Sequence, residues 1–481
     1  MKKLLLLILV AFIQLNITSQ VANWAPLSTG LNGDARCMIV FNNKLIVGGS
    51  FNSAGGNLAN NIAAWDGSNW SILGSGLIGG YVNSGSTCTS TNYGSGSVET
   101  LEIYNNELYA GGTFSVAGGV PSKNIAKWNG TTWSPVGGGV KDNYSSSAYG
   151  TVYCLKVYNN ELYVGGRIDS AGNIKVKNIA KWNGATWSNV AGGTNLSTLS
   201  TIRKVRAMDT LNNNLYVAGV FDTIGGIPAN SIAKWDGFNW AALGAGFNLG
   251  SAPLFGVTLL SKYNNMLYAG NPNTGISKWN GTNWAAVGGG IGVNGNIGGN
   301  SQAWAATKFG NDLIVGGNFG NSGALLNTFG ISKWNDTNWD YMGIPLVSGT
   351  TTTAGFNVAC VKTLAVYNNE LYAGGGFSKE LLQNTNLNHV ARFLNVVGIN
   401  EISALQNQVS VFPNPSTSQY NFSGLVGENT IQINDITGRV LLTEKTFTEN
   451  HSINLNASQG MYFYKISDKQ NRVQQGKLIL N

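Results

Sequence analysis

Short runs in which apolar and polar residues alternate fill the chain, separated by Asn-Asn, Asn-Gly, Asp-Gly and Gly-Gly pairs. Runs of this kind bounded by those pairs read as β-strands joined by hairpins. The runs recur as three cassettes. The first is V-x-x-L-x-x-(Y/F)-N-N-x-L, as in "VETLEIYNNEL" from Val98, and it leads directly into "YAGG" or "YVGG". The second is I-(A/S)-K-W, with tryptophans at 65, 128, 182, 235, 279 and 334 and Phe393 in the seventh place. The third is a further tryptophan with a Gly-rich tail, at 70, 133, 187, 240, 284 and 339. A spacing of about 55 residues between copies suits a propeller blade better than a helical solenoid unit.

The third cassette has six members until "NWAPLSTGL" (Asn23 to Leu31) is set beside "NWSILGSGL" (Asn69 to Leu77). The N-terminal strand then supplies the tryptophan strand that the seventh repeat lacks. The expected fold is an all-β, seven-bladed β-propeller over residues 20–395, closed by its N-terminal strand. From about Val396 the repeats stop. A linker over 396–408 leads to a second set of alternating strands at 409–481, short enough for a small β-sandwich.

The four residues between Trp128 and Trp133 form a hairpin loop, so the two indoles face each other across adjacent strands. Paired indoles also bind sugars, but a feature repeated in every blade is expected to be packing. Lys127, Lys181, Lys234, Lys278, Lys333 and Arg392 recur at one position. They read either as a basic belt for polyanionic glycans or as protection of outer strands with cation–π contacts.

One position breaks the apolar regularity of the first cassette. Its second residue is Arg36, Glu99, Tyr153, Arg206, Thr258, Trp304 and Lys362 in the seven copies. Core positions do not vary in this way, and the register lies where the innermost strand leaves the long-loop face. Arg36, Glu99, Tyr153, Arg206, Trp304 and Lys362 are therefore the candidate ligand-binding residues, ringing the channel mouth. Trp304 is also the one tryptophan of fourteen outside the repeated pairs. The long variable segments share this face, which carries Tyr81, Tyr93, Tyr144 and Tyr149, and binding residues concentrate on such loops. The fifth repeat departs from the others, its second-to-third connection shrinking to "NPNTG", which predicts a notch in the rim. Further in, Glu102, Lys156 and Asp209 fall in register. They read as an ion-pair ladder or, less simply, as carboxylates for glycosidic acid–base work.

Charge and composition narrow the function. Charged residues make up 11% of the 481 positions, and the net charge is +7. Lys2 and Lys3 precede the apolar run "LLLLILVAFI", so residues 1–19 have the shape of a signal peptide, too short to span a membrane. The mature chain is expected to carry about +5, with no transmembrane segment and no basis for nucleic-acid binding. Cys37, Cys88, Cys154 and Cys360 permit two disulfides in an exported chain, with three possible pairings. No CxxC, Asp-rich calcium loop, phosphate-binding loop or Ser/His/Asp arrangement occurs, and the two histidines are His389 and His451. The expectation is no metal, no cofactor and no catalytic constellation.

In the tail, "VFPNP" (Val411 to Pro415), "DITGRVL" (Asp435 to Leu441), "GMYFYKI" (Gly460 to Ile466) and the terminal "GKLIL" occur in order. The segment resembles the type A C-terminal sorting domain of the type IX secretion system. That resemblance implies a Bacteroidota-type bacterium, engagement with the type IX machinery, export across the outer membrane to the cell surface or medium, and removal of the tail near the linker. The body resembles kelch-like and galactose-oxidase-like propellers in "LYAGGTFSVAGG" and "IAKWNG", which implies fold rather than activity. With so few imidazoles, the copper chemistry of such oxidases is not expected. The functional expectation is a non-enzymatic binder of a glycan or surface protein through the long-loop face. The alternatives are a polysaccharide-acting enzyme using Glu99, Glu102 or Asp209, and a purely structural surface protein.

Overall fold

The computed structural model describes residues 24–80, 96–142, 150–195, 203–248, 256–293, 296–297, 301–348, 360–380, 386–394, 409–435, 439–469 and 473–481. The expected signal peptide, the linker, Cys88 and Tyr81, Tyr93, Tyr144 and Tyr149 lie outside them. The described residues are all-β, and the chain divides into two compact units, Met1–Leu394 and Asn395–Asn481.

The first unit holds seven four-stranded antiparallel sheets. Their innermost strands are Asp34–Phe41, Ser97–Tyr104, Thr151–Tyr158, Lys204–Leu211, Leu259–Tyr263, Gln302–Phe309 and Val361–Tyr367. In six sheets the four strands follow one another in sequence. In the seventh, the outermost strand is Trp24–Pro26, which pairs with Val390–Phe393 so that Trp24 lies opposite Phe393. Each innermost strand touches the next, and Val361–Tyr367 touches Asp34–Phe41.

Local chemistry accounts for the strands and their turns. The Asn-Asn pairs between first and second strands put both central residues at positive φ, as at Asn105 (50°) and Asn106 (61°), where asparagine is tolerated. The second hairpin is held by its leading Asn or Asp. Asn129 Oδ1 accepts hydrogen bonds from the Thr131 and Thr132 amides at 2.9 and 2.8 Å, and Asp66 does the same for Ser68 and Asn69.

The Gly-Gly pair has two separate reasons. A Cβ on Gly111 would lie 2.4 Å from Val152 Cγ1 of the next sheet, so the first glycine sets the spacing between sheets. A Cβ on Gly112 would lie 2.0 Å from the Ser97 carbonyl oxygen, so the second lets two strands of one sheet approach closely.

Tryptophan and tyrosine then fasten sheet to sheet. The Trp128 and Trp133 rings stand 5.3 Å apart at 47°, and Trp133 Nε1 donates to the Leu73 carbonyl of the preceding sheet at 2.9 Å. Trp70, Trp187, Trp284 and Trp339 make the same bond backwards around the unit. At the other end of the strands Tyr104 OH donates to Asn160 O at 3.0 Å, and Tyr367 OH to Asn43 O at 2.8 Å, the latter from the seventh sheet to the first.

The long-loop face is less loose than its sequence suggests. Parts of its connections are strands of small sheets that join neighbours, such as Leu77–Ile78 with Val116–Ala117 and Val140–Lys141 with Ser170–Ala171. Two-residue strands carry too little periodicity to be read from sequence. The shortened fifth connection is a direct hairpin, Asn271 pairing with Gly275, with the Asn271 side chain bonded to the Asn273 and Thr274 amides.

The second unit consists of a three-stranded sheet, Ser410–Phe412, Gln419–Ser423 and Asn450–Asn454, and a four-stranded sheet, Val440–Thr446, Asn429–Asn434, Gly460–Asp468 and Val473–Leu480. Tyr420, Phe422, Ile431, Ile433, Ile453, Ile466 and Leu478 form one fully buried cluster between them.

Candidate functional site

The variable position of the first cassette has a structural cause. In six sheets the pairing between first and second strands slips at that residue: Arg36, Glu99, Tyr153, Arg206, Trp304 and Lys362 are each the extra residue of a β-bulge. A bulge leaves one residue unpaired and re-aims its side chain. The valine or alanine before each of them is fully buried, whereas the bulged residue itself is half-buried. The fifth sheet has Thr258 just before its strand, with Oγ1 donating to the Ala303 carbonyl at 2.8 Å.

These side chains form three sectors. Around the seventh, first and second sheets the charges are matched. Arg36 binds Glu99, whose carboxylate also accepts from Ser97 Oγ at 2.7 Å, and Lys362 binds Asp34, with His389 Nδ1 at 3.7 Å from the same carboxylate. Burial works to raise the Glu99 carboxyl, but the Arg36 charge and the two hydrogen bonds hold it below its ordinary value. Burial lowers Lys362 and His389 by more than Asp34 restores.

Around the third and fourth sheets two cations share one aromatic ring. The Arg206 guanidinium stands over the Tyr153 ring at 5.1 Å and Lys204 Nζ at 5.9 Å. Arg167 binds Asp142 at 2.6 Å nearby. Around the fifth and sixth sheets lie Thr258, Gln302 and the half-buried Trp304.

Deeper, Lys156 pairs with Asp209 at 2.9 Å, and Asp209 also accepts the Lys262 amide at 3.1 Å. Glu102 interacts with Lys156 through its charge alone, and burial raises its carboxyl. The expected three-member ladder is thus one ion pair with a neighbouring carboxyl group.

Two open readings narrow. Of the recurrent outer cations, Lys127 binds Glu107 at 2.8 Å, Lys181 binds Glu161 at 2.7 Å, Lys333 binds Asp340 at 3.0 Å and Arg392 binds Glu370 at 3.1 Å. Lys278 stands 5.9 Å over the Trp334 ring. Acids on the adjacent strand pair with four of the six cations, which favours strand protection over a continuous polyanion surface. The second disulfide is absent: Cys37 and Cys154 are free thiols on different inner strands, each pushed up by burial, while Cys360 is disulfide-bonded.

Residues 410–481 match the secretion system C-terminal sorting domain family. The sorting domain engages the type IX secretion machinery, and the protein is secreted to the cell surface or the extracellular space. No curated protein matches the chain. Among solved structures, it is similar to PorZ of Porphyromonas gingivalis, described as an essential bacterial surface component of the type IX secretion system. The identity is 15% and the TM-score 0.37, over 91% of this chain but 64% of PorZ, less than two thirds of that protein. It is also similar to the WD40 β-propeller domain of Doa1, at 11% identity and a TM-score of 0.43, over 76% of this chain and 94% of that one.

The bulged register carries signals that sequence reading missed. Asp34, Ser97, Arg167 and Lys204 stand beside the bulged residues and decide which of them are paired. Asp34, Ser97 and Lys204 sit two places before each bulge, so they were open to a register search of the cassettes. Arg167 lies on the partner strand, opposite Thr151, which only pairing reveals.

Proposed function

We propose that residues 20–395 form a seven-bladed propeller of kelch-like repeats, closed by the N-terminal strand. It is exported with loss of the 1–19 segment and binds a glycan or a surface protein through the long-loop face without catalysis. The contact of the last innermost strand with the first, and the pairing of Trp24–Pro26 with Val390–Phe393, support the closed ring. The observation that carries the binding reading is the bulge. A ring-forming repeat holds its packing residues constant, yet it places its one variable side chain, re-aimed, at the channel mouth of six blades.

The test sets two aromatic pairs against each other. Trp304→Ala with Tyr153→Ala is expected to remove most binding to surface polysaccharide or whole cells with little loss of stability. Trp128→Ala with Trp133→Ala is expected to cost about 3–5 kcal/mol for each ring and to reduce binding only by unfolding. Equal destabilisation by the two pairs would make Trp304 core. Normal binding by both folded variants would move the site elsewhere on the loops.

A second reading, a polysaccharide-acting enzyme, draws on Glu102, a half-buried carboxyl group raised above its ordinary value beside an ion-paired Asp209. Glycan hydrolysis that Glu102→Gln abolishes would establish it.

A further inference from the structure

We infer that the sorting domain docks on the type IX machinery through the outer face of its four-stranded sheet, and that its partner there is a protein surface with an apolar centre and an acidic rim.

The two sheets of the second unit close on one core, so alternate residues of each strand point inward and the others outward. Outward positions in contact with water ordinarily take polar side chains. The three-stranded sheet follows that rule, with Gln419 opposite Asn454 and Asn421 opposite Ser452 facing away from the core. Its exception is Phe412 on the edge strand, opposite Asn421.

The four-stranded sheet departs from the rule at one end. There Phe463 lies between Asn434 and Lys477, Asn434 lies opposite Val440, and Met461 lies opposite Ile479. Val440, Met461 and Phe463 are 50%, 44% and 46% exposed, whereas Tyr462, Tyr464 and Leu478 beside them are buried in the core. The surplus belongs to this unit. Six of the exposed large apolar side chains among the described residues lie in it, against ten in the first unit, which is more than four times as long. Side chains held outward contribute little to the sandwich core, and a contiguous exposed apolar group marks an interaction site. Phe and Met are the residue types that fill the centres of protein interfaces.

The occupant follows from where these residues come from. Val440 lies in "DITGRVL", Met461 and Phe463 in "GMYFYKI", and Lys477 and Ile479 in "GKLIL". Strand pairing brings these three stretches, separate in sequence, to one place on the domain that engages the secretion machinery. Charge narrows the partner further. Lys465 and Lys477 border the patch on the same face, and none of the described side chains directed outward from this sheet is Asp or Glu. The acids at its two ends are paired, Asp435 with Arg439 at 3.1 Å and Glu428 with Lys445 and Lys469. A second copy of the chain would set lysine against lysine, so an acid-rimmed partner fits better.

The test expresses the full chain in a bacterium with an active type IX machinery and measures the fraction reaching the cell surface or medium against that held in the periplasm. Met461→Ser with Phe463→Ser is expected to lower the exported fraction by roughly tenfold, with an unchanged thermal midpoint of the purified chain. Phe412→Ser, a comparably exposed aromatic on the other sheet, should export normally. So should Phe463→Leu, which keeps the apolar surface. Lys465→Glu with Lys477→Glu should lower export several-fold by reversing the charge of the rim.

Normal export of the serine pair would overturn the proposal. Equal loss in Phe412→Ser would take the effect away from this face, and a loss shared by Phe463→Leu would mark a packing role; either result also overturns it. Unchanged export of the glutamate pair would overturn the acidic partner. A purified chain that is dimeric, and that becomes monomeric yet still exported in the serine pair, would assign the face to a second copy instead.

Discussion

The surfaces between neighbouring sheets and the bulged ends of the inner strands are built from the same strands under opposite rules. Between sheets the same residues recur: the Trp128–Trp133 pair, the indole bond back to the preceding sheet, and the glycine that admits the next sheet's valine. At the end of the inner strand, a bulge in six of the seven sheets exempts a single residue from that repetition. Sheets of one kind stacked side by side need each interface to be alike, because a misfit at one would have to be absorbed by its neighbours. The bulged positions have no such requirement, so their composition can vary.

The most damaging change should be removal of Trp24–Leu31. It takes a fully buried indole, the bond from the Trp24 amide to buried Glu380 at 2.7 Å, and the outer strand of the seventh sheet. The loss in a denaturant titration is expected to exceed the roughly 3–5 kcal/mol of one buried tryptophan, because an unpaired edge is left as well. An unchanged midpoint would break the view that interfaces carry stability.

Among the bulged residues, Glu99→Gln should cost about 3 kcal/mol, because it leaves the half-buried Arg36 guanidinium without its ion pair. Arg206→Gln should cost less than about 0.5 kcal/mol, since that side chain leaves no acid behind. If the two variants melt together, the Arg36–Glu99 ion pair carries no more stability than the contact of Arg206 with the Tyr153 ring.

A smaller effect lies in the pH dependence of stability. The Lys204 amine titrates at about 7 in the folded chain against an ordinary 10.5, so between those values the unfolded chain binds more protons. Stability should therefore rise with pH across that window, its cost being fully present below pH 7. Lys204→Met should flatten the rise, and an identical slope in both proteins would place the group elsewhere.

Much of the fold was legible because its signals are local and repeated. Asn-Asn and Asn-Gly name their hairpins by backbone conformation, and alternation names the strands. Repetition then turned single weak signals into seven agreeing ones, enough to pair the N-terminal tryptophan strand with the last repeat. The candidate ring was legible as a position that varies, yet its cause was not. The bulge adds one residue to the inner strand, so the V-x-x-L spacing breaks strict alternation, but which residue is the extra one is visible only when both strands are paired.

Sequence by itself determined which residues repeat and which one in each repeat is free to differ, since both are statements about position along the chain. It also identified the sorting tail, whose motifs are linear. Only the tertiary structure decided what each charge faces. Lys127 and Arg206 are both single cations in a repeating register, but one lies across a strand from Glu107 and the other over the Tyr153 ring. Whether a cation is neutralised or available depends on neighbours contributed by another strand or sheet, at distances of a few ångströms that sequence separation does not encode.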